Sequence, residues 1–195
     1  MARGVHVRHG SAMADPRRPV AQLIDELVER IGAPAYISAC VDLLEGAPRE
    51  RYVVELRCLT GHAWQPGDAV LSPTSWGDFW VRSWGARGLL HVWHDSATAA
   101  VVVGLGDEHY RPAEMCLKVA ARHEVAGTGD GAARLAGHDL PRVRAQAMRA
   151  LAVVGDSEHV ATVEAAVDDE HADVRRQATR TLDLLDRKST RLNSS

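Results

Sequence analysis

The sequence predicts an all-α protein, an α-solenoid of stacked antiparallel helix pairs. The first observation behind this prediction is a motif that recurs every 31 residues along more than half of the chain. The second is a composition rich in Ala, Leu, Val and Arg, with one Phe and three Tyr, which favours helices over a β-sandwich. Helix pairs repeated at such a period stack on one another and bury a continuous core.

Four segments define the repeat. They begin at Val81, Pro112, Val143 and Val174 and read VRSWGARGLLHV, PAEMCLKVAARH, VRAQAMRALAVV and VRRQATRTLDLL. Offsets 0, +4, +7, +8 and +11 of each segment are mostly apolar or small, which is the pattern of one buried helix face.

Shorter helical stretches lie between these segments, at 97–108, 129–139 and 158–170. Each ends in an acidic or turn cluster, and acidic residues before a helix cap its free N–H groups. Each unit is therefore predicted to be a helix, an acidic turn and a second helix.

The repeats resemble the HEAT-repeat family, in particular its short bacterial, phycobilisome-lyase-like type. The resemblance covers about residues 78–185 and rests on DFWVRSWGARGLL, DLPRVRAQAMRALAVVGD and DDEHADVRRQATRTLDLL, which match the family pattern D-x-x-x-VR-x-x-A-x-x-AL. The second unit departs from it, because Pro112 and Ala113 stand where Val-Arg is expected. The resemblance implies that the Val-Arg helix of each unit lines a concave surface.

The segments outside the repeats are predicted to differ from them. Residues 1–19 lack the apolar core of a secretory signal and are expected to be a disordered extension. Residues 20–60 are predicted to form a degenerate helical cap. Residues 61–77, rich in Gly and Pro, are predicted to be a loop insertion, which in repeat arrays is often functional. Residues 186–195 abandon the repeat pattern and are expected to be disordered, or an artefact of a reading frame run on into foreign sequence.

Four of the five tryptophans lie within residues 75–95. The register places Trp80 and Trp84 off the buried stripe, because their counterparts in the later repeats are mostly polar. Two rings four residues apart share a helix face, and a soluble monomer seldom leaves such an area bare. Two interpretations remain open: the 61–77 loop with its Trp64 covers them, or a partner does.

A column of basic residues occupies offset +6 of every unit, and two arginines flank it. Solvated cations, some of them paired with Glu114 or Asp173, would give the same column. The alternative is a track for phosphate or an acidic peptide. The candidate partner-binding residues are Trp80, Trp84, Arg87, Arg111, Lys118, Arg142, Arg149 and Arg180.

The arginines of the Val-Arg motif are assigned a structural role. Three of them follow Gly77, Asp139 and Glu170 at a distance of five residues. In the family that the repeats resemble, acid–arginine ladders tie adjacent turns together. The resemblance therefore implies a ladder made of Arg82, Asp139, Arg144, Glu170 and Arg175.

The sequence offers no catalytic, metal or cofactor motif. Glu-His pairs at 108–109, 158–159 and 170–171 fall in predicted turns and are interpreted as capping residues rather than metal ligands. A net charge of −3 gives no general attraction to nucleic acid, and an apolar stretch long enough for a membrane span is missing. Three widely spaced cysteines fit a reducing cytoplasm.

The sequence thus predicts a non-catalytic bacterial interaction module or scaffold, without cofactor or metal, that binds an unknown partner protein through its concave face. The alternative is a nucleic-acid-binding protein similar to the HEAT-like alkylation-repair glycosylases, with DNA held along the column of basic residues.

Overall fold

The computed structural model describes residues 18–65, 67–72 and 74–192 of the chain. These residues form ten α-helices and no β-strand, which confirms the predicted all-α class. The helices are α1 (Val20–Ile31), α2 (Ala33–Leu44), α3 (Val53–Thr60), α4 (Asp78–Leu89), α5 (Thr98–Gly104), α6 (Tyr110–His123), α7 (Gly129–Leu135), α8 (Pro141–Val154), α9 (Val160–Ala165) and α10 (Ala172–Leu192). The predicted N-terminal extension lies outside the described residues, apart from its last two.

The even-numbered helices form one layer of the molecule. In it α2 packs against α4, α4 against α6, α6 against α8, and α8 against α10. The odd-numbered helices form a second layer, because α3, α5, α7 and α9 each pack on the even-numbered helix that follows. This serial stacking of helix pairs is the predicted α-solenoid.

The core follows the 31-residue register. Offsets 0, +4 and +7 are buried in all four units, as Val143 and Ala147 illustrate in α8. Small residues on this stripe bring helix backbones close together. A Cβ on Gly85 would lie 2.5 Å from the carbonyl oxygen of Cys40, and one on Gly88 would lie 2.4 Å from the Cys40 Sγ. The first repeat is therefore seated directly on α2 of the cap.

The described residues of the 61–77 segment, which leave out 66 and 73, contain one short 3₁₀ helix, Ala69–Leu71, and are otherwise irregular. A buried arginine outside the segment fastens it. Arg49 donates hydrogen bonds to the carbonyl oxygens of Val70 at 2.8 Å and Trp76 at 3.1 Å. It also forms an ion pair with the carboxylate of Asp78, the first residue of α4.

The predicted boundary at residue 186 is wrong, because α10 continues to Leu192. The chain after Leu185 has no Gly or Pro before Leu192 that would end a helix. In addition, the Lys188 Nζ donates hydrogen bonds to the carbonyl oxygens of Val153 and Gly155. These carbonyls lie at the C-terminal end of α8, where a cation satisfies free acceptors.

Candidate protein-binding face

The predicted partner-binding residues lie on the even-numbered layer and line two adjoining pockets. The first, of about 140 Å³, lies among α4, α6 and α8 and is lined by Trp80, Ser83, Trp84, Arg87, Arg111, Glu114, Met115, Lys118 and Arg142. The second, of about 570 Å³, shares Lys118 and is lined as well by Leu90, His91, Ala121, Arg122, Gln146 and Arg149. We call this surface the basic–aromatic face. Of the eight predicted residues, Arg180 alone lies outside both pockets, exposed on α10.

A cluster of four tryptophans borders the first pocket. The rings of Trp80 and Trp84 lie one helical turn apart with centroids 6.2 Å from each other. Trp76 packs against them, with centroid distances of 5.9 Å to Trp80 and 5.8 Å to Trp84. Trp64 contacts Trp76 in turn at 6.2 Å.

The 61–77 segment therefore covers the α4 tryptophans in part. Trp76 and Trp64 belong to it, yet all four rings remain partly exposed. The two interpretations left open by the sequence are thus both compatible with the geometry: the segment contacts the rings, and surface remains for a partner.

Arg111 is held against the tryptophan cluster by stacking. Its guanidinium lies 4.3 Å from the centroid of the Trp80 ring and 5.4 Å from that of Tyr110. A guanidinium stacked on an aromatic ring keeps its N–H donors available at its edge.

Two carboxylates neutralise part of the basic column. Glu114 is buried and binds Arg142 at 2.6 Å and Lys118 at 3.0 Å. Burial raises the pKa of the Glu114 carboxyl, but the hydrogen bonds from Arg142 and Lys118 outweigh it and leave the pKa lowered. On α8 and α10, Arg149 binds Asp173 at 3.0 Å.

The remaining cations of the face have no such partner. Within the described part of the chain, no carboxylate lies within ion-pair distance of Arg87, Arg111 or Arg122 on the face, nor of Arg180 on α10. Two of these four, Arg87 and Arg111, line the same small pocket beside Trp80 and Trp84. The basic column is therefore divided into paired and unpaired members.

The arginines of the Val-Arg motif form inter-repeat ion pairs. Arg82 binds Asp107 through two hydrogen bonds of 2.6 and 3.0 Å, and Arg144 binds Asp169 through two of 2.7 and 2.9 Å. Both pairs are bidentate, the strong arrangement for guanidinium and carboxylate. The hydrogen bond from Arg144 lowers the pKa of the Asp169 carboxyl.

Three ladder residues act differently from the expectation. Asp139 contributes its backbone carbonyl oxygen to Arg144 rather than its carboxylate. Glu170 is a secondary contact of Arg144 at 3.3 Å, and Arg175 donates to the carbonyl oxygens of Asp169 and Glu170. The reason is that Arg82 and Arg144 find their carboxylate partners in the following turn, whereas the expectation counted back to the preceding one, where Arg144 and Arg175 find backbone carbonyl oxygens.

The histidines of the Glu-His pairs cap helix starts, as the sequence predicts. The Nδ1 atoms of His109 and His171 accept hydrogen bonds from backbone N–H groups two residues further on. Among the described residues, one group has ligand atoms close enough for a metal ion, namely Asp130, Glu158 and His159, within 4.8 Å of one another. In this group the His159 imidazole already contacts two carboxylates, that of Asp156 through Nδ1 and that of Asp130 through Nε2.

The cysteine thiols are not activated nucleophiles. Burial raises the pKa of Cys40 to about 12, and it also raises the pKa values of Cys58 and Cys116. Thiols with raised pKa values stay protonated at neutral pH and react slowly.

Comparison with known proteins assigns part of this architecture. Residues 132–191 match the family model for HEAT repeats. The match begins in α7 and ends in α10, so the last two helix pairs are similar to HEAT repeats, a family whose members are generally protein-interaction modules. No curated protein and no solved structure matches the chain. None of the described helices is both long and apolar enough to cross a lipid bilayer.

Proposed function

We propose that the chain is a non-catalytic interaction module that binds a partner protein through the basic–aromatic face. The observation that carries this proposal is the first pocket, where the unpaired Arg87 and Arg111 stand beside the partly exposed Trp80 and Trp84. Tryptophan and arginine are the residue types that most often dominate binding energy at protein interfaces. We take this side of the layer to be the concave one, as the resemblance to HEAT repeats implies.

The contrast with the turns supports the same conclusion. There, Arg82 is bound by the bidentate carboxylate of Asp107, and Arg144 is bound by that of Asp169 together with two backbone carbonyl oxygens. Saturated arginines of this kind hold the fold together and offer few donors to a partner. The unpaired arginines of the face repel one another, and a partner that supplies carboxylates relieves that repulsion.

A protein partner is favoured over nucleic acid. The face contains the carboxylates of Glu114 and Asp173, which a continuous phosphate backbone would have to pass. The net charge of the chain is −3, so long-range attraction to a polyanion is also missing. We assign the protein to the bacterial cytoplasm and the repeats to the short bacterial type on the sequence pattern alone.

Site-specific photocrosslinking tests the proposal. A benzophenone amino acid at Met115, which lines the first pocket, is compared with the same group at Val103, which is 74% exposed on α5 in the other layer. We expect one protein to crosslink from position 115 and not from 103, and to be identified by mass spectrometry.

The identified protein is then purified and its Kd measured by calorimetry with the unlabelled chain and with Trp84→Ala. Binding weakened about tenfold or more supports the proposal, since a central interface tryptophan contributes at least about 1.4 kcal/mol. Equal crosslinking from both positions contradicts it.

A further inference from the structure

We infer that the segment of the partner that binds this face is acidic, with one carboxylate seated between Arg111 and Arg87 and an apolar neighbour packed on Trp84. This inference rests on the proposed function and adds the chemistry of the partner. It follows from the state of Arg111, the size of the first pocket and the spacing of the helices.

Arg111 is preorganised for a carboxylate. Its guanidinium is fixed over Trp80 at 4.3 Å, while no described carboxylate pairs with it. A planar guanidinium presents parallel N–H donors that match the two oxygens of a carboxylate. Because stacking has already restricted the side chain, little further ordering is needed when the anion binds.

The first pocket has room for a single carboxylate side chain. Its volume is about 140 Å³, well below the roughly 300–1,000 Å³ of sites for small-molecule ligands and cofactors. A carboxylate side chain of Asp or Glu fits such a volume, and Trp84 and Met115 on the same wall offer contact to an apolar neighbour. Lys118 and Arg142 share Glu114 as their carboxylate partner, which leaves Arg87 and Arg111 as the unpaired cations of this pocket.

The spacing of the helices sets the spacing of acidic residues in the partner. The unpaired cations lie on α4, α6 and α10, and neighbouring packed helices are about 8–10 Å apart. An extended peptide rises about 3.3 Å per residue. An extended segment that crosses the even-numbered helices therefore meets a new helix about every third residue. Because Arg149 on α8 is already paired with Asp173, the acidic residue that meets Arg180 on α10 is expected about six positions from the one in the first pocket.

A synthetic peptide tests this chemistry directly. The probe is a fluorescein-labelled peptide of about 12 residues with the repeating unit Glu-Ser-Leu, which rises across successive helices at the spacing derived above. The matched probe has Gln in place of each Glu. Binding to the full chain is measured by anisotropy at low and at physiological salt, with intrinsic tryptophan fluorescence as a second readout of the pocket.

The variants distinguish binding in the first pocket from non-specific attraction to positive charge. Arg111→Met and Arg87→Met remove the unpaired guanidiniums, Arg111→Lys keeps the charge without the planar group, and Arg134→Met removes an exposed arginine of α7 in the other layer. We expect Kd to rise about tenfold or more for the Gln probe, Arg111→Met and Arg87→Met, and to stay within about twofold for Arg134→Met. For Arg111→Lys we expect an intermediate loss, since lysine lacks bidentate geometry.

Several outcomes overturn the inference. They are equal binding of the Glu and Gln probes, no saturation up to about 1 mM, or an equal loss with Arg134→Met. Tighter binding of a thymidine oligonucleotide of equal charge, lost with the same variants, reassigns the face to nucleic acid. Displacement of the peptide by inorganic phosphate at matching concentration reassigns the pocket to small anions. If a protein crosslinks from position 115 but Arg111→Met leaves its Kd unchanged, the inference fails while the proposed function stands.

Discussion

Replacing Arg49 with methionine tests how the 61–77 segment is held over the tryptophan cluster. The Arg49 side chain is only 4% exposed, and its guanidinium bonds to the carbonyl oxygens of Val70 and Trp76. Methionine has a similar length and fills much of the same space, but it carries no donors. The change therefore isolates the hydrogen bonds from the packing.

The expected cost is worked from the burial of each partner. Val70 is buried, so its carbonyl oxygen is left without a donor, at about 1–3 kcal/mol. Trp76 is partly exposed, and water replaces much of its lost bond. Asp78 is 61% exposed, so its ion pair with Arg49 adds about 0–1 kcal/mol. The free energy of unfolding should fall by about 1–4 kcal/mol.

Urea unfolding followed by tryptophan fluorescence measures that loss, and limited proteolysis measures release of the segment. Arg51→Met is the matched control, because Arg51 lies on the same short 3₁₀ helix, Arg49–Tyr52, and is exposed. We expect faster cleavage within 61–77 and a red-shifted native emission for Arg49→Met only. If both variants unfold at the same urea concentration and are cleaved at the same rate, the assignment of Arg49 as the fastener is refuted.

Three further variants have defined expectations. Trp84→Ala should cost about 2–3 kcal/mol, less than for full burial, because the ring is partly exposed and contacts Trp76; urea unfolding checks this, and unchanged stability would mean that the ring serves only a partner. Glu114→Gln should destabilise the chain at neutral pH. Because the folded pKa of Glu114 lies below its ordinary 4.5, that difference should persist above about pH 4.5 and shrink as the pH falls through the folded value; a difference constant down to about pH 3 would contradict this. Lys188→Met should lower Tm by about 2–4 °C, as expected for a loss near 1 kcal/mol, whereas the exposed Arg187→Met should not; equal Tm values for the two variants would remove the role of Lys188 at the end of α8.

The core was predictable from the sequence because it is periodic. A single register of 31 residues identifies the buried positions of α4, α6, α8 and α10, since corresponding residues of each unit pack against the neighbouring helices in the same way. The same register also identified which tryptophans and cations share a surface. Periodicity fixes which side of a helix a residue occupies, and for these positions that was sufficient.

The partners in ion pairs and hydrogen bonds were less predictable, because periodicity does not indicate which of two neighbouring residues makes the contact. The expected ladder placed Arg144 beside Asp139, five residues before it, while the structure gives the bidentate carboxylate pair to Asp169 and leaves Asp139 only a backbone carbonyl contact. Arg49 carries no repeat signal, and its partners lie 21 to 29 residues away in an irregular segment. The end of α10 was missed because its stabilising contact, from Lys188 to the end of α8, is also distant in sequence.

The departure of the second unit from the repeat pattern explains why the cations of the face are divided. Where the first and third units have Arg82 and Arg144, the second has Ala113, and the register sets His138 where their partners Asp107 and Asp169 stand. Both members of that ion pair are therefore missing together.

The step from α6 to α8 is tied instead on the face, by the 2.6 Å pair between Glu114 and Arg142. The same carboxylate also binds Lys118. The buried Glu114 therefore both forms the ion pair that links α6 to α8 and offsets part of the positive charge of Lys118 and Arg142. Arg87 and Arg111, nearer to α4, lie beyond its reach and keep their charge beside the tryptophans. The ion pair missing from the second unit and the Glu114–Arg142 pair beside the first pocket therefore belong to the same step of the array.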